Sequence, residues 1–218
     1  MNQREQRRPR LAIVGGGLAG IAAAEMVSRA APSVDVTLFE SRRRLGGRAG
    51  SYLDPKSDQE IDYCQHVAMG CCTNFVDLMQ QFELSQYLKR LDRLTFLHPD
   101  AAPSLFAPNR LLPAPFHLLG TIGAMQFLSK QQKREIRHAL GRLIRDVSLQ
   151  PQSTSDALNG PTAKQWLERT GQSAESIREF WDVILVSALG EHTDRVSMSA
   201  ARKVLVDGFA IAHLSLIH

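Results

Sequence analysis

The chain has 218 residues, of which 44% are hydrophobic and 22% charged, a composition that excludes wholesale disorder and collagen-like or coiled-coil character. The formal net charge is +4, but residues 1–10 form a basic tail that holds four arginines against one glutamate, and the rest of the chain is nearly balanced. Because aromatic residues are only 6% of the chain, we expect no nucleic-acid partner.

Three cysteines, Cys64, Cys71 and Cys72, are too few and too close together for a disulfide framework, and they lack the spacing of a zinc site. We therefore predict no metal and a reducing, cytoplasmic location. The most apolar stretch, residues 111–128, is interrupted by prolines, glycines and a histidine, so it does not predict a membrane span. Peripheral contact with the inner membrane face remains a hypothesis.

The opening of the chain has the pattern of a strand, a helix and a second strand. Residues 11–14 are an apolar run that stops at three glycines, residues 18–30 are rich in helix formers, and residues 34–40 form a second strand-like run. This order and length are typical of a βαβ unit. Residues 41–50 are basic and glycine-rich, which predicts a loop. The predicted fold class is α/β with a Rossmann-like start.

The remainder of the chain is predicted to be mainly helical, after a mixed stretch that contains short strands and one helix near residues 73–82. Ser129, Ser173 and Ser197 precede helical runs and have the chemistry of N-caps. The predicted helices span residues 130–147, 162–169, 174–187 and 198–208. We divide the chain into a tail at 1–10, a dinucleotide-binding part at 11–70 and a mainly helical substrate part at 71–218.

The strongest local signal is a G-x-G-x-x-G pattern between the first strand and the helix. Its first glycine permits a tight turn, its second lets a pyrophosphate approach the backbone, and its third allows close packing of helix and strand. Glu40 ends the second strand, where an acidic residue accepts hydrogen bonds from a ribose diol and disfavours a 2′-phosphate, and hence NADP. The predicted binding residues here are Gly15, Gly17, Leu18, Ala19, Gly20 and Glu40.

A second glycine pair with an arginine follows the acidic residue. Residues 40–48 resemble the E-x-x-x-x-(L/V)-G-G-R pattern of the superfamily of flavin-containing amine oxidases and carotenoid desaturases. The resemblance implies FAD, with Glu40 and Arg42 at the adenosine ribose. It implies that Gly46, Gly47 and Arg48 lie by the pyrophosphate and flavin. Arg43 by itself is interpreted as a solvated loop residue.

Later segments narrow the resemblance to one family. Residues 61–70 resemble the D-x-G-Q-H-x-x-x-G segment of hydroxysqualene dehydroxylases, although Cys64 stands where many relatives have glycine. Residues 180–190 and 197–209 resemble that family's Phe-Trp and Val-Leu-x-Asp-Gly-Phe segments. The resemblance runs from residue 11 to residue 209, which leads us to expect an N-terminal portion of a longer family fold.

The implied reaction replaces the allylic hydroxyl of hydroxysqualene with a hydride from reduced FAD, so the implied partner is an isoprenoid lipid. His66 is a candidate acid or flavin-positioning group, and a structural histidine is an equal alternative. Gln65 is a candidate flavin ligand or a turn cap. Residues 111–128 are a candidate lipid entrance beside the basic helix 130–147, and a buried helix beside a solvated one is the alternative.

Two other functions stay open at this stage. A carotenoid or other isoprenoid desaturase of the same superfamily would move the hydride in the opposite direction, and an amine oxidase-like flavoenzyme is part of the same alternative. A non-catalytic remnant that binds nucleotide without turnover is the third hypothesis, because the family is much longer than this chain. We also expect the helices at 162–169, 174–187 and 198–208 to leave apolar surface uncovered, since in the family they pack on a further region.

Overall fold

The computed structural model describes residues 8–63, 67–69, 72–91, 93–109, 111–113, 116–146, 160–211 and 216–217. The chain forms two compact units, Met1–Val67 and Ala68–His218. The first is called unit 1 and the second unit 2 below.

Unit 1 opens with the expected βαβ arrangement, which confirms the α/β, Rossmann-like prediction. Strand β1 (Arg10–Val14) is followed by helix α1 (Leu18–Ala30) and strand β2 (Asp35–Phe39). The two strands pair in parallel, from Arg10 opposite Asp35 to Val14 opposite Phe39. The helix ends at Ala30, and the N–H of the C-cap residue Ala31, directly before Pro32, donates to Val27 O.

An antiparallel hairpin completes the described part of unit 1. Strand β3 (Ser51–Asp54) pairs with β4 (Gln59–Asp62). The Asp54 carboxylate accepts hydrogen bonds from the N–H groups of Lys56 and Ser57 in the connecting turn. A carboxylate that bonds to backbone groups two and three residues later is a common way to hold such a turn.

Apolar side chains of unit 1 remain in contact with solvent. No residue of α1 is buried. At the carboxyl ends of the two strands, Val14 is 88% exposed and Phe39 is 54% exposed. Parallel sheets are normally covered on both faces. Unit 1 therefore derives little stability from a hydrophobic core of its own.

Unit 2 contains short strands followed by a helical bundle. Its strands are β5 (Ala68–Met69), β6 (Arg90–Leu91), β7 (Leu94–His98), β8 (Ala101–Phe106) and β9 (Leu216–Ile217), with β5-β9-β6 in one sheet and β7-β8 as a hairpin. Its helices are α2 (Thr73–Gln81), α3 (Leu119–Ala124), α4 (Lys130–Arg145), α5 (Ala163–Arg169), α6 (174–189) and α7 (198–211), with 3-10 turns at Ser85–Tyr87 and Phe116–Leu118. Both α6 and α7 include π-helical turns, at Ile177–Trp181 and Lys203–Ile211.

The N-terminal ends of three helices are where the sequence predicted them. Ser129 and Gln132 form a reciprocal capping box at α4, and the hydroxyls of Ser173 and Ser197 accept from backbone N–H groups at α6 and α7. The C-terminal ends differ slightly: α4 ends at Arg145 rather than at residue 147, and α6 continues to Leu189.

The hydrophobic core of unit 2 covers much, but not all, of the apolar surface of its C-terminal helices. The helices α5, α6 and α7 bury their apolar side chains within one cluster, which also includes α3, α4 and Phe106 of β8. Trp181 is fully buried, and its indole N–H donates to Gln172 Oε1 at 2.9 Å. Each of these helices faces apolar residues from its neighbours, yet α6 leaves Val183, Val186 and Leu189 exposed at 44%, 36% and 40%. The expectation that these helices leave apolar surface uncovered therefore holds for one face of α6, whereas the apolar side chains of α5 and most of those of α7 are buried.

Candidate functional site

The glycine-rich turn after β1 is held to the end of β2 by backbone hydrogen bonds. Gly15 has φ +103°, a conformation that favours glycine, and its N–H donates to Phe39 O at 2.7 Å. The next residue, Gly16, is buried, and its N–H donates to the Glu40 carboxylate at 2.7 Å. The turn therefore leads the chain from β1 into α1 beside the carboxyl end of β2.

Gly20 allows the first turn of α1 to lie directly against this glycine turn. A Cβ atom at Gly20 would lie 1.8 Å from Gly15 O, which is far inside contact distance. No side chain fits there without moving the backbone. The third glycine of the pattern therefore acts in packing.

Gly17 is different, because the space beside it is open. It is the N-cap residue of α1, and among the described residues a Cβ atom there would meet only Gly47 Cα, at 4.0 Å. No side chain caps the helix, and its first turn has no acidic residue. The first N–H groups of a helix lack carbonyl partners within the helix, and its N-terminus carries a partial positive charge. The open space thus borders an uncapped anion-binding helix end, and a pyrophosphate fits this chemistry.

The second glycine pair is joined to the first. Gly46 N–H donates to Gly16 O at 2.8 Å, and Gly17 and Gly46 form an isolated parallel bridge. Both Gly46 (φ +99°) and Gly47 (φ +61°) have left-handed backbones, and a Cβ at Gly47 would lie 3.1 Å from Gly17 Cα. The two glycine motifs, 30 residues apart, therefore build one backbone-lined cradle.

Glu40 links the strand end to both loops. Its Oε2 accepts from Gly16 N–H, and its Oε1 accepts from Arg42 N–H at 2.8 Å and from the Ser41 hydroxyl at 3.2 Å. The N–H groups of Arg42 and Gly16 hold the pKa of Glu40 below its usual value. The carboxylate is thus charged at neutral pH, and Oε2, which accepts only the bond from Gly16 among those described, retains a lone pair for a further donor such as a ribose hydroxyl.

The arginines of the loop have different roles. Arg42 contributes its backbone N–H to Glu40, while its side chain, like those of Arg43 and Arg48, is exposed. Arg44 had no predicted role, yet it donates to Ser51 O at 2.8 Å and lies 4.4 Å from the centre of the Tyr63 ring. Arg44 therefore fastens the loop to the β3-β4 hairpin, which nothing in the local sequence indicates.

Gly16 is also a residue whose role the sequence pattern did not reveal. A Cβ atom there would lie 2.5 Å from Leu45 Cδ2 and 3.1 Å from Glu40 Cβ. The available signal was the run of three consecutive glycines. Gly16 occupies the first x of G-x-G-x-x-G, where the turn itself needs no glycine, so its presence indicates a further contact. Gly16 is required for contact with the second loop.

Two predicted site residues, Gln65 and His66, lie outside the described residues, as does Cys64. Their roles remain predictions. Leu18 and Ala19 begin α1 with exposed side chains, so any contact they make with a phosphate in this arrangement comes from their backbone N–H groups.

The fold and the cradle together define a Rossmann-like dinucleotide-binding unit. The family model described as "NAD(P)-binding Rossmann-like domain" matches residues 13–82. Over 194 residues the chain is 28% identical to the zeta-carotene desaturase of Synechocystis sp., a match that covers 86% of this chain and 39% of that protein. Over 48 residues it is 56% identical to the tryptophan 2-monooxygenase of Pantoea agglomerans pv. gypsophilae, covering 22% of this chain and 8% of that protein.

Solved structures agree on the fold. A putrescine oxidase bound to putrescine superposes with a TM-score of 0.61 at 18% identity, covering 94% of this chain and 44% of that one. The chain therefore spans less than half the length of the relatives it matches. These findings confirm the Rossmann-like fold and a similarity to zeta-carotene desaturases, which is the broader of the two predicted resemblances. The narrower one, to hydroxysqualene dehydroxylases, stays a prediction.

None of the described helices is both long enough and apolar enough to cross a bilayer. Residues 111–128 were predicted to form either a lipid entrance or a buried helix. Their described side chains include both kinds: Leu111 is 91% exposed, whereas Ile122 and Met125 belong to the core of unit 2.

Proposed function

We propose that this chain provides the FAD-binding part of an oxidoreductase that acts on a long isoprenoid. The observation that carries the proposal is the cradle made by the two glycine motifs, in which Gly46 N–H bonds to Gly16 O while the space beside Gly17 stays open. A turn that served only to connect a strand and a helix would need neither the second motif nor the open space.

The residues of the cradle have distinct tasks in this proposal. The uncapped N-terminus of α1 and the backbone at Gly17 and Gly47 hold the pyrophosphate, and Glu40 accepts hydrogen bonds from the adenosine ribose. Arg48 supplies a positive charge near the diphosphate. FAD, when bound, supplies the capacity to give or take a hydride at its ring system.

For the substrate, we propose the allylic alcohol hydroxysqualene. The reaction replaces the hydroxyl with hydrogen and releases water, so the departing oxygen needs a proton. The support is the resemblance of residues 61–70 and 180–190 to hydroxysqualene dehydroxylases. His66 is the proposed proton donor or flavin-positioning residue, and Gln65 a proposed flavin ligand.

A carotenoid desaturase is the second candidate. Its support is the 28% identity to the zeta-carotene desaturase of Synechocystis sp. over 194 residues. A desaturase removes hydrogen from its substrate, whereas a dehydroxylase adds it, so the two candidates leave the flavin in opposite redox states.

FAD binding is tested first, by titrating the purified 218-residue chain with FAD and following flavin fluorescence. Gly17→Val should weaken binding by roughly a hundredfold or more, because its side chain fills the space for the pyrophosphate. Gly120→Val is the matched control, since Gly120 in α3 also has open space beside it but lies in unit 2. Equal FAD affinity in the Gly17→Val and unmodified chains would contradict the site.

Reaction direction is tested anaerobically on the FAD-loaded chain. Conversion of hydroxysqualene to squalene with reoxidation of reduced FAD supports the dehydroxylase. Bleaching of oxidised FAD by zeta-carotene supports the desaturase. FAD binding without either reaction supports the third hypothesis, a nucleotide-binding chain without turnover.

A further inference from the structure

Unit 2 contains a cavity of about 380 Å³, and its lining includes no residue of the glycine cradle. Aromatic and aliphatic side chains make up most of its wall, among them Phe106, Leu118, Ile122, Leu140, Phe180 and Phe209. The side chains of Ile122 and Phe180 are almost fully buried, so the cavity reaches into the core of the unit. Cavities of this size are at the lower end of the range that binds small ligands.

Two arginines of α4 are part of the same wall. Arg137 and Arg145 flank Leu140, Gly141 and Ile144, the other cavity-lining residues of this helix. Eight helical positions correspond to a separation of about 12 Å along the axis, so a positive charge lies at each end of the apolar stretch. Gly141 lacks a side chain, and a Cβ there would meet nothing within 4 Å, which keeps the centre of the stretch open.

Neither arginine is neutralised within the described part of the chain. Arg145 Nε donates to Gly141 O at 3.1 Å, a backbone carbonyl rather than a carboxylate. No ion pair joins Arg137 or Arg145 to a described acidic residue. Glu135 of the same helix is engaged by Ser173 and Ser176 instead. Guanidinium groups beside an apolar cavity fit a carboxylate or phosphate that is attached to a hydrocarbon chain.

We propose that this cavity binds a single-chain anionic amphiphile, whose hydrocarbon chain occupies the apolar space and whose head group contacts Arg137 or Arg145. The proposal goes beyond the function proposed above, because squalene and carotenes have no charged head group and the cavity contains no residue of the cradle. Because the cavity reaches the buried side chains of Ile122 and Phe180, its depth fits one inserted hydrocarbon chain rather than the plane of a bilayer.

The test uses the 218-residue chain without FAD and measures the Kd of cis-parinaric acid from its fluorescence. Palmitate, hexadecyl phosphate and neutral hexadecanol serve as competitors. We expect palmitate or hexadecyl phosphate to compete at least about tenfold better than hexadecanol, because only they pair with a guanidinium. Whichever of palmitate and hexadecyl phosphate competes more strongly shows whether the site prefers a carboxylate or a phosphate head group. Equal competition by the alcohol would overturn the proposal.

Variants locate the site. The double variant Arg137→Gln, Arg145→Gln should raise the Kd at least about tenfold. The control Arg134→Gln, Arg142→Gln removes the same charge from exposed positions of α4 that do not line the cavity, and it should stay within twofold. Gly141→Leu should weaken the binding of palmitate and of hexadecanol to the same extent, because its side chain fills part of the cavity. An unchanged Kd in the first double variant or in Gly141→Leu overturns the assignment.

Sedimentation with phosphatidylglycerol vesicles tests the alternative that Arg137 and Arg145 contact a membrane surface instead of a single amphiphile. If the arginines are needed for vesicle binding while monomeric amphiphiles do not bind, the site is a membrane-contact surface and the proposal is wrong. If amphiphiles bind and all four arginines contribute equally to vesicle binding, the cavity is a ligand site on a generally basic helix, as proposed.

Discussion

The N–H of Gly16 donates to the carboxylate of Glu40 at 2.7 Å, which connects the turn after β1 to the end of β2. The acidic residue expected at a ribose also holds the glycine turn in place. Its second oxygen bonds to Arg42 N–H, so the carboxylate also organises the start of the second loop. Glu40 therefore has a role in shaping the cradle before any ligand is bound.

The first prediction concerns that carboxylate. Glu40→Gln should weaken FAD binding by about tenfold, because an amide has one acceptor oxygen in place of two and its NH₂ group faces a backbone donor. FAD titration measures the effect. Glu60→Gln, on the exposed β4 strand of the same unit, is the control and should bind FAD normally. Unchanged affinity in Glu40→Gln would remove Glu40 from the site.

The same carboxylate predicts a pH dependence. Because the folded-state pKa of Glu40 is lowered, its contribution to stability is present above its unfolded-state pKa and is lost as the pH falls through the folded value. FAD affinity should therefore be constant near neutrality and fall in acid. Repeating the titration from pH 7 down to pH 3 checks this, and the decrease should be smaller in Glu40→Gln.

The second prediction separates packing from binding within the G-x-G-x-x-G pattern. Gly20→Ala should destabilise unit 1 by roughly 1–3 kcal/mol, because its Cβ would overlap Gly15 O and force a backbone shift. Gly17→Ala, where the added methyl meets no close neighbour, should melt like the unmodified chain. Circular dichroism melts measure both. Equal melting of the two variants would mean that the helix does not pack on the turn as described.

The third prediction concerns Glu135, which joins α4 to the start of α6. Burial opposes its charge, but hydrogen bonds from the Ser176 hydroxyl and from the N–H and hydroxyl of Ser173 lower its pKa from 4.5 to about 2. Glu135→Gln should cost about 1–2 kcal/mol of unfolding free energy at neutral pH, because charge-assisted hydrogen bonds are lost.

The sign of the pH effect follows from the lowered pKa. The stabilisation by Glu135 is complete above its unfolded-state pKa near 4.5 and disappears as the pH falls toward 2. The difference in unfolding free energy between the unmodified chain and Glu135→Gln should therefore shrink across this interval in urea titrations. Glu168→Gln, on the exposed face of α5, is the control. A constant difference would contradict the assigned hydrogen bonds.

The fourth prediction compares the two units by hydrogen exchange. No side chain of α1 is buried, whereas α6 contains the fully buried Trp181 and Leu185. Amides of α1 should exchange at least roughly a hundredfold faster than those of α6, because local opening of α1 exposes little additional apolar surface. Saturating FAD should slow exchange in α1 and leave α6 unchanged. Protection of α1 equal to that of α6 without FAD would show that unit 1 is held by contacts beyond those described.

Local features of the sequence were sufficient for much of the framework. The glycine spacing and the apolar periodicity predicted β1, α1 and β2, and α1 occupies the predicted residues 18–30. Ser129, Ser173 and Ser197 predicted helix starts correctly. These features act within single short segments of the chain, so the identity of a residue and its close neighbours is enough to recognise them.

Only the tertiary structure decided how these elements meet. The bond between Gly46 and Gly16, the contact of Arg44 with Tyr63 and the attachment of Glu135 to Ser173 join residues that are 19 to 38 positions apart. The packing of α5, α6 and α7 in one core, which the sequence analysis did not anticipate, is of the same kind. Such contacts depend on the relative position and rotation of whole elements, and a pattern within one segment contains no information about either. The arginine-lined cavity exists for this reason: its wall is assembled from β8, the 3-10 turn at Phe116–Leu118 and the helices α3, α4, α6 and α7, and no one of these segments indicates a cavity on its own.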